Sequence, residues 1–548
     1  MILKKFIPIA ATVSASIIFL FVFIRTTTCS HPISIISPAF EIEPKFVLAS
    51  NGDVVFSAVD QGTYSIYKYT SSGLKKEDHR DGYLSPFLID NKVYGLIDKN
   101  GDQNYTTDHG IIKKLIGGRF ITYLHVFPGT DEVVVQLNND NTVYLLDLSN
   151  ETKTAIFYGV QKVHNILKLN TNSFIINYDG YLSHYDLKTK SERLIAKNVN
   201  GDSMNAFITD DLFLYYANQG NENHYKIFEV NLKVNPLESR VMHKKEGYDV
   251  RMPKRRGDLL YFLELVNSEY LLSEMNLRDK TVKRITSKGV IYMYEFGAKN
   301  NIILSYSDFE NPKCIADYNR DNEKFSIKTG SRRQLSFTHR AIKNKDGSNA
   351  YLIKAKDKSY KGVILYFHPG LHSDFSPRWD PVIVNLIMNG YIILAPNYPM
   401  SSGYGQTFYQ SDLQAAVNDI NHWKEYVKAN LSGYPLYYLS SSSGNILMEK
   451  SLKENGKDVT AFSSLFGIAS DELKFTDKRG LYVLGQNDPI IDIESRKHTI
   501  LAQNNDNKII SYENEGHWIR HQENNSDLIR NILTFYCDEK PLFSSHDE

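Results

Sequence analysis

Three side chains of the kinds that acyl transfer requires lie in the C-terminal part of this 548-residue chain. Ser442 stands in the run Tyr437-Tyr438-Leu439-Ser440-Ser441-Ser442-Ser443-Gly444, between an apolar stretch and a helical one beginning near Ile446. That is the place of a nucleophilic serine on a sharp strand-to-helix turn, whose pattern is Gly-x-Ser-x-Gly. Gly444 keeps the last glycine of the pattern and Ser440 replaces the first. Asp488, in Leu484-Gly485-Gln486-Asn487-Asp488-Pro489, follows another apolar strand, and His517, in Glu513-Asn514-Glu515-Gly516-His517-Trp518, precedes the last helical segment. A serine hydroxyl is a weak nucleophile until an imidazole accepts its proton. The imidazole in turn needs a carboxylate to hold its tautomer and stabilise its cation. Singly, Asp488 before a proline reads as a turn residue and His517 is one of 16 histidines. Jointly, at strand ends and in this order, the three point to covalent acyl transfer.

An oxyanion formed in such a reaction needs hydrogen-bond donors. His368-Pro369-Gly370 follows the strand ending at Phe367, although Pro369 has no N–H to offer. The segment Asn397 to Gly405 supplies Tyr404, whose phenol is expected to act with the backbone N–H of Ser443. One such donor contributes roughly 3–4 kcal/mol of transition-state stabilisation. The plainer reading of this segment is a glycine-rich turn with one exposed aromatic.

The elements that must position these groups begin near residue 331. Gly362 to Phe367 is a continuous apolar strand of the kind buried on both faces of a parallel sheet. Helical periodicity at Val382–Met388 is followed by a strand at Tyr391–Ala395, a helix over Ser411–Ala429 and the serine-bearing strand. Strands at Ala461–Phe466 and Leu481–Gly485 and a helix near Leu528–Phe535 complete the pattern. Alternating strands and helices predict an α/β domain over 331–548 with a mostly parallel sheet. The chain order Ser…Asp…His is that of an α/β-hydrolase.

Residues 40–330 read differently. Short strands rich in Tyr, Phe, Ile and Val alternate with Asn-Gly, Asp-Gly and Asn-Asp turns. A unit ending in a strand such as Val143-Tyr144-Leu145-Leu146-Asp147-Leu148 or Leu182-Ser183-His184-Tyr185-Asp186-Leu187 recurs about every 40 residues, the period of a four-stranded propeller blade. Starts near Phe46, Leu84, Ile121, His164, Phe207, Arg251 and Ile291 predict an all-β propeller of about seven blades. An irregular β-sandwich is the alternative.

Lys+Arg and Asp+Glu both total 63, so no net field favours nucleic acid. Residues 1–30 form a signal segment or anchor. Phe6–Ile24 is almost wholly apolar, follows Lys4 and Lys5, and is just long enough to cross a bilayer. An uncleaved membrane anchor or a cleaved signal peptide would each send the remainder out of the cytoplasm, to a periplasmic or extracellular location. Of three cysteines, Cys314 and Cys537 are either a pair across the two domains or unpaired. Asp98 to Asn104 loosely resembles a calcium loop but lacks its terminal glutamate, so a hairpin turn is expected. The sequence implies no metal site and no cofactor.

With these residues assembled, the chain resembles the prolyl oligopeptidase family of serine peptidases, in Asn397–Gly405, Ser442–Gly444, Gly485–Asp488 and Gly516-His517. The resemblance implies a triad of Ser442, Asp488 and His517, an oxyanion aided by Tyr404, and a propeller that restricts access to short peptides. Membrane anchoring near the N-terminus also agrees with that family. The chain departs from the family pattern at Ser440, at Asn445 where a second glycine is common, and at Pro369. The link Ile468–Arg479 is also shorter than usual, which removes the support for proline specificity, and no glutamate pair supports aminodipeptidase action. A carboxylesterase on the same scaffold and an inactive propeller-based binding protein are the competing readings.

Overall fold

The run Gly362–Phe367 is buried along its whole length because successive side chains enter opposite cores. Val363, Leu365 and Phe367 join one apolar layer, whereas Ile364 and Tyr366 join the other. The structure is a computed structural model that describes residues 33, 35–36, 40–60, 63–77, 83–90, 92–98, 104–127, 130–199, 206–219, 222–234, 237–298, 300–330, 333, 335–345, 348–356, 359–469 and 478–539.

The eight strands around that run are β1 (Phe337–Lys343), β2 (Asn349–Ala355), β3 (Gly362–Phe367), β4 (Tyr391–Asn397), β5 (Leu436–Ser441), β6 (Val459–Leu465), β7 (Gly480–Gly485) and β8 (Lys508–Tyr512). They form one sheet in the order β1-β2-β4-β3-β5-β6-β7-β8. β1 and β2 pair antiparallel, β2 pairs antiparallel with β4, and the remaining pairs are parallel. Helices α1 (Pro381–Met388), α2 (Leu413–Asn430), α3 (Gly444–Asn455), α4 (Ile493–Gln503) and α5 (Gln522–Asp538) cover its two faces. Asp380 starts α1 by accepting the amides of Val382 and Ile383, with Pro381 at the first helical position, and Asp412 caps α2 through Ala415. One layer holds α1 and α5, through Ile383, Ile387, Ile532 and Tyr536. The other holds α2, α3 and α4, through Val417, Trp423, Leu447, Met448 and Ile500.

Among the described residues, the chain before this sheet folds into seven small antiparallel sheets spanning 40–76, 83–107, 121–158, 163–197, 206–243, 250–284 and 290–327. Each has four strands except the second, which has three. The last two are joined by a single parallel bridge between Tyr270 and Val290. The first strand of blade one packs on both blade two and blade seven, so the ring closes. Closure is by side-chain packing, with Ile42, Phe46 and Phe56 against Ile315, Met293 and Ile303. These sheets are a β-propeller, and a sandwich is excluded.

One contact connects the parts in a way the residue pattern did not indicate. Ile33 and Ile35 pack on the core beneath the eight-stranded sheet, and Asn385 of α1 both donates to the carbonyl of Ile36 (2.8 Å) and accepts its amide (2.6 Å). Cys314 is a free, buried thiol whereas Cys537 is disulfide-bonded, so the two do not pair with each other. The apolar stretch Phe6–Ile24 lies outside the described residues; among the described ones, no helix is long and apolar enough to cross a membrane.

Candidate active site

All the predicted triad residues arise at the C-terminal ends of parallel strands, where an open α/β sheet presents its loops on one rim. β5 ends at Ser441, and Ser442 turns the chain with φ +50° before α3 begins at Gly444. A serine in this left-handed region costs about 1–3 kcal/mol, which the surrounding structure must offset. Here the Ser442 amide donates to the carbonyl of Leu465 (2.9 Å), and Asn445 and Ile446 donate back to the carbonyls of Ser442 and Ser443 (3.1 Å each). Gly444 is required by close approach, since a Cβ there would lie 2.4 Å from the His368 carbonyl oxygen.

Of the four consecutive serines, only Ser442 reaches an imidazole. Its Oγ lies 2.8 Å from His517 Nε2, and His517 Nδ1 lies 2.7 Å from Asp488 Oδ2. Ser440 is buried against Asn445, and Ser443 Oγ accepts the Leu371 amide. The Asp488 carboxylate is buried, and its other oxygen accepts the amides of Ile490 (2.8 Å) and Ile491 (3.1 Å). With both oxygens occupied, the carboxylate has one orientation. His517 is 3 % exposed, with Phe466 at 6.3 Å on one side and the exposed Trp518 edge-on at 5.1 Å.

The loop bearing His517 is held by a buried carboxylate two residues before it. Glu515 is buried and accepts four N–H groups: the amides of Arg520 (2.8 Å) and His521 (3.0 Å), His521 Nδ1 (2.9 Å) and Asn524 Nδ2 (2.8 Å). Gly485 lets this loop cross the end of β7, because a Cβ at 485 would lie 2.0 Å from the Gly516 carbonyl. Arg520 then reaches out of the domain to Asp98 of blade two, at 3.0 Å, with the carboxylate fully buried. Asp98 is therefore an interdomain ion-pair partner, and residues 99–103 of its oxygen-rich stretch lie outside the described residues.

The structure places Tyr404 differently from expectation. Its phenol receives a hydrogen bond from Asn397 Nδ2 (2.9 Å) and lies 2.9 Å from Ser268 Oγ of blade six. The hydroxyl is thus taken up in the domain interface, beside Tyr351, which donates to the Asn267 carbonyl (2.6 Å), and Tyr270, which donates to Asp374 (3.2 Å). By contrast, the amides of Ser443 and Gly370 have no hydrogen-bond partner among the described residues. Gly370, at φ +69°, immediately precedes Leu371, whose amide donates to Ser443 Oγ (3.1 Å). The loop therefore lies on the nucleophile turn even though Pro369 lacks a donor. His368 supports the loop from within. Burial pushes its imidazole down to about 4, its ring stacks on Tyr398 at 4.2 Å, and Nε2 meets Ser401 Oγ at 2.9 Å.

No protein-family model and no curated protein matches the sequence. Solved structures do match the fold. A puromycin-hydrolysing peptidase of Mycobacterium tuberculosis is 13 % identical with a TM-score of 0.73, the alignment covering 93 % of this chain and 96 % of that one. Oligopeptidase B of Leishmania major is 11 % identical with a TM-score of 0.71, covering 96 % and 90 %. The acylaminoacyl peptidase of Pyrococcus horikoshii is 12 % identical with a TM-score of 0.66, covering 93 % and 97 %. Along nearly its whole length the chain thus shares the propeller and α/β-hydrolase fold of these peptidases.

Proposed function

We propose that this protein is a serine peptidase cleaving short peptides through a Ser442–His517–Asp488 triad. The observation that carries the reading is the continuous run of hydrogen bonds from Ser442 Oγ through both His517 nitrogens to Asp488, on a serine turn at positive φ. His517 Nε2 takes the Ser442 proton as Oγ attacks the scissile carbonyl, while Asp488 stabilises the imidazolium. The developing oxyanion is received by the unpartnered amides of Ser443 and Gly370, in place of the Tyr404 phenol. His517 then passes its proton to the leaving amine, and a water activated by the same imidazole releases the acyl group. The propeller, lying over this rim through Asp98, Ser268 and Asn267, limits entry to small substrates.

The apolar stretch Phe6–Ile24 behind two lysines supports a site of action outside the cytoplasm, held by an anchor or released by signal cleavage. The disulfide-bonded Cys537 fits an oxidising compartment.

A fluorophosphonate probe tests the catalytic reading. Labelling of the folded protein is expected, with loss in Ser442→Ala and retention in Ser441→Ala and Ser443→Ala. Absence of labelling, or labelling that survives Ser442→Ala, overturns it. Peptide amides turned over in preference to simple esters support a peptidase, and the reverse preference indicates an esterase.

A further inference from the structure

The two residues standing where the serine turn would have further glycines, Ser440 and Asn445, are each other's partners. Ser440 Oγ donates to Asn445 Oδ1 at 3.1 Å, and both side chains are 0 % exposed. The Asn445 amide group donates twice: to Glu449 Oε1 (2.8 Å) and to the carbonyl of Ile468 (2.9 Å). Glu449 is fixed in turn by Arg496 of α4 (2.9 Å), whose guanidinium lies over the Tyr482 ring at 5.5 Å. Because Oδ1 accepts one hydrogen bond and Nδ2 donates two, the Asn445 carboxamide is held in one orientation.

What that carboxamide holds is the segment leaving β6. The Phe466 amide donates to Val483 and the Ile468 amide to Ser442, so both ends of Phe466-Gly467-Ile468 are pinned by backbone. Phe466 sits at φ +51°, a strained conformation for an aromatic residue. Gly467 lies directly on Asn445, since a Cβ there would stand 2.7 Å from Asn445 Cγ. The segment packs buried Phe466 beside the His517 ring and leaves Ile468 half-buried beside the Ser442 backbone.

We infer that Asn445, locked by Ser440 and the Glu449–Arg496 pair, is a positioning residue that holds Phe466 and Ile468 as an apolar wall next to the nucleophile, selecting substrates with a bulky apolar side chain adjoining the scissile carbonyl. The inference rests on the hydrolase reading above and deepens it.

The test uses the full protein and its Asn445→Gly and Ser440→Gly variants, with peptidyl p-nitroanilides that differ only in the residue before the cleaved bond. Asn445→Gly is expected to lower kcat/KM at least about tenfold for Phe or Leu there, mostly through KM, and less than about threefold for Gly. Ser440→Gly is expected to act in the same direction with a smaller effect. Hydrogen exchange of the amides of 466–469 is expected to accelerate in Asn445→Gly while β3 and β5 keep their protection. Equal losses for all substrates, or unchanged exchange at 466–469, overturn the inference. Failure of the unaltered protein to react with a fluorophosphonate overturns the hydrolase reading, and the exchange experiment reads the loop support separately.

Discussion

The proposed nucleophile and the proposed base are held by different means. Ser442 is fixed from within the hydrolase, by the β5–α3 turn, the Leu465 carbonyl and the packing of Gly444 on β3. His517 rides on a loop closed by the Glu515 carboxylate, and that loop reaches blade two through Arg520 and Asp98. The serine turn therefore depends on the sheet, whereas the base also depends on where the propeller sits. The proposed reaction, which needs both within 2.8 Å, would be sensitive to the domain interface through the histidine. The polar contacts across that interface at Tyr351, Tyr270 and Tyr404 belong to the same arrangement.

The comparison can be broken outright at the triad. Ser442→Ala and His517→Ala are each expected to lower kcat by at least about a thousandfold, and Asp488→Asn by about 10³–10⁴, with the fold intact by circular dichroism. It is sharpened by Asp98→Asn, made some 400 residues away in sequence. Loss of the partner of Arg520 is expected to reduce both kcat/KM and the rate of fluorophosphonate labelling by roughly tenfold or more, because small misplacements of a catalytic group are costly. A change in thermal stability with neither rate affected would show that the pair is only structural. Glu515→Gln removes acceptor capacity from a carboxylate serving four donors. It is expected to cost about 2–3 kcal/mol in denaturant unfolding and to slow labelling without touching Ser442.

The last effect is one of pH. His368 has a folded value of about 4, below the unfolded value near 6.5, so the unfolded chain binds the proton more readily between them. Its contribution is fully present above about pH 6.5 and is lost as pH falls through about 4, by up to about 1.4 kcal/mol per pH unit. Unfolding titrations of the His368→Asn variant are expected to show a shallower acid slope over this window.

Much of this arrangement was legible from residue order. Uniformly apolar β3 announced a strand buried on both faces, and the recurring aromatic strands announced blades. Helix α4 escaped notice because only Ile493, Arg496 and Ile500 are buried along it, too few to impose an apolar stripe. Helix α5 begins at Gln522, earlier than the expected Leu528, because its first turn is polar and its apolar face starts later. That the loop after Pro369 lies on the serine turn has no signature in its residues, because the contact of Leu371 with Ser443 spans 72 residues. The Tyr404 role could not be judged from its motif, since its partner Ser268 lies 136 residues away in another domain.

Sequence alone determined the two fold classes and the order Ser442, Asp488, His517, because strand periodicity, turn glycines and chain order are local properties. Tertiary structure alone decided that Ser440 and Asn445 form one buried pair. It also decided that Asp98 of the propeller steadies the histidine loop of the hydrolase. Hydrogen bonding needs approach within about 3 Å and a set direction. Between residues so far apart along the chain, both are consequences of folding.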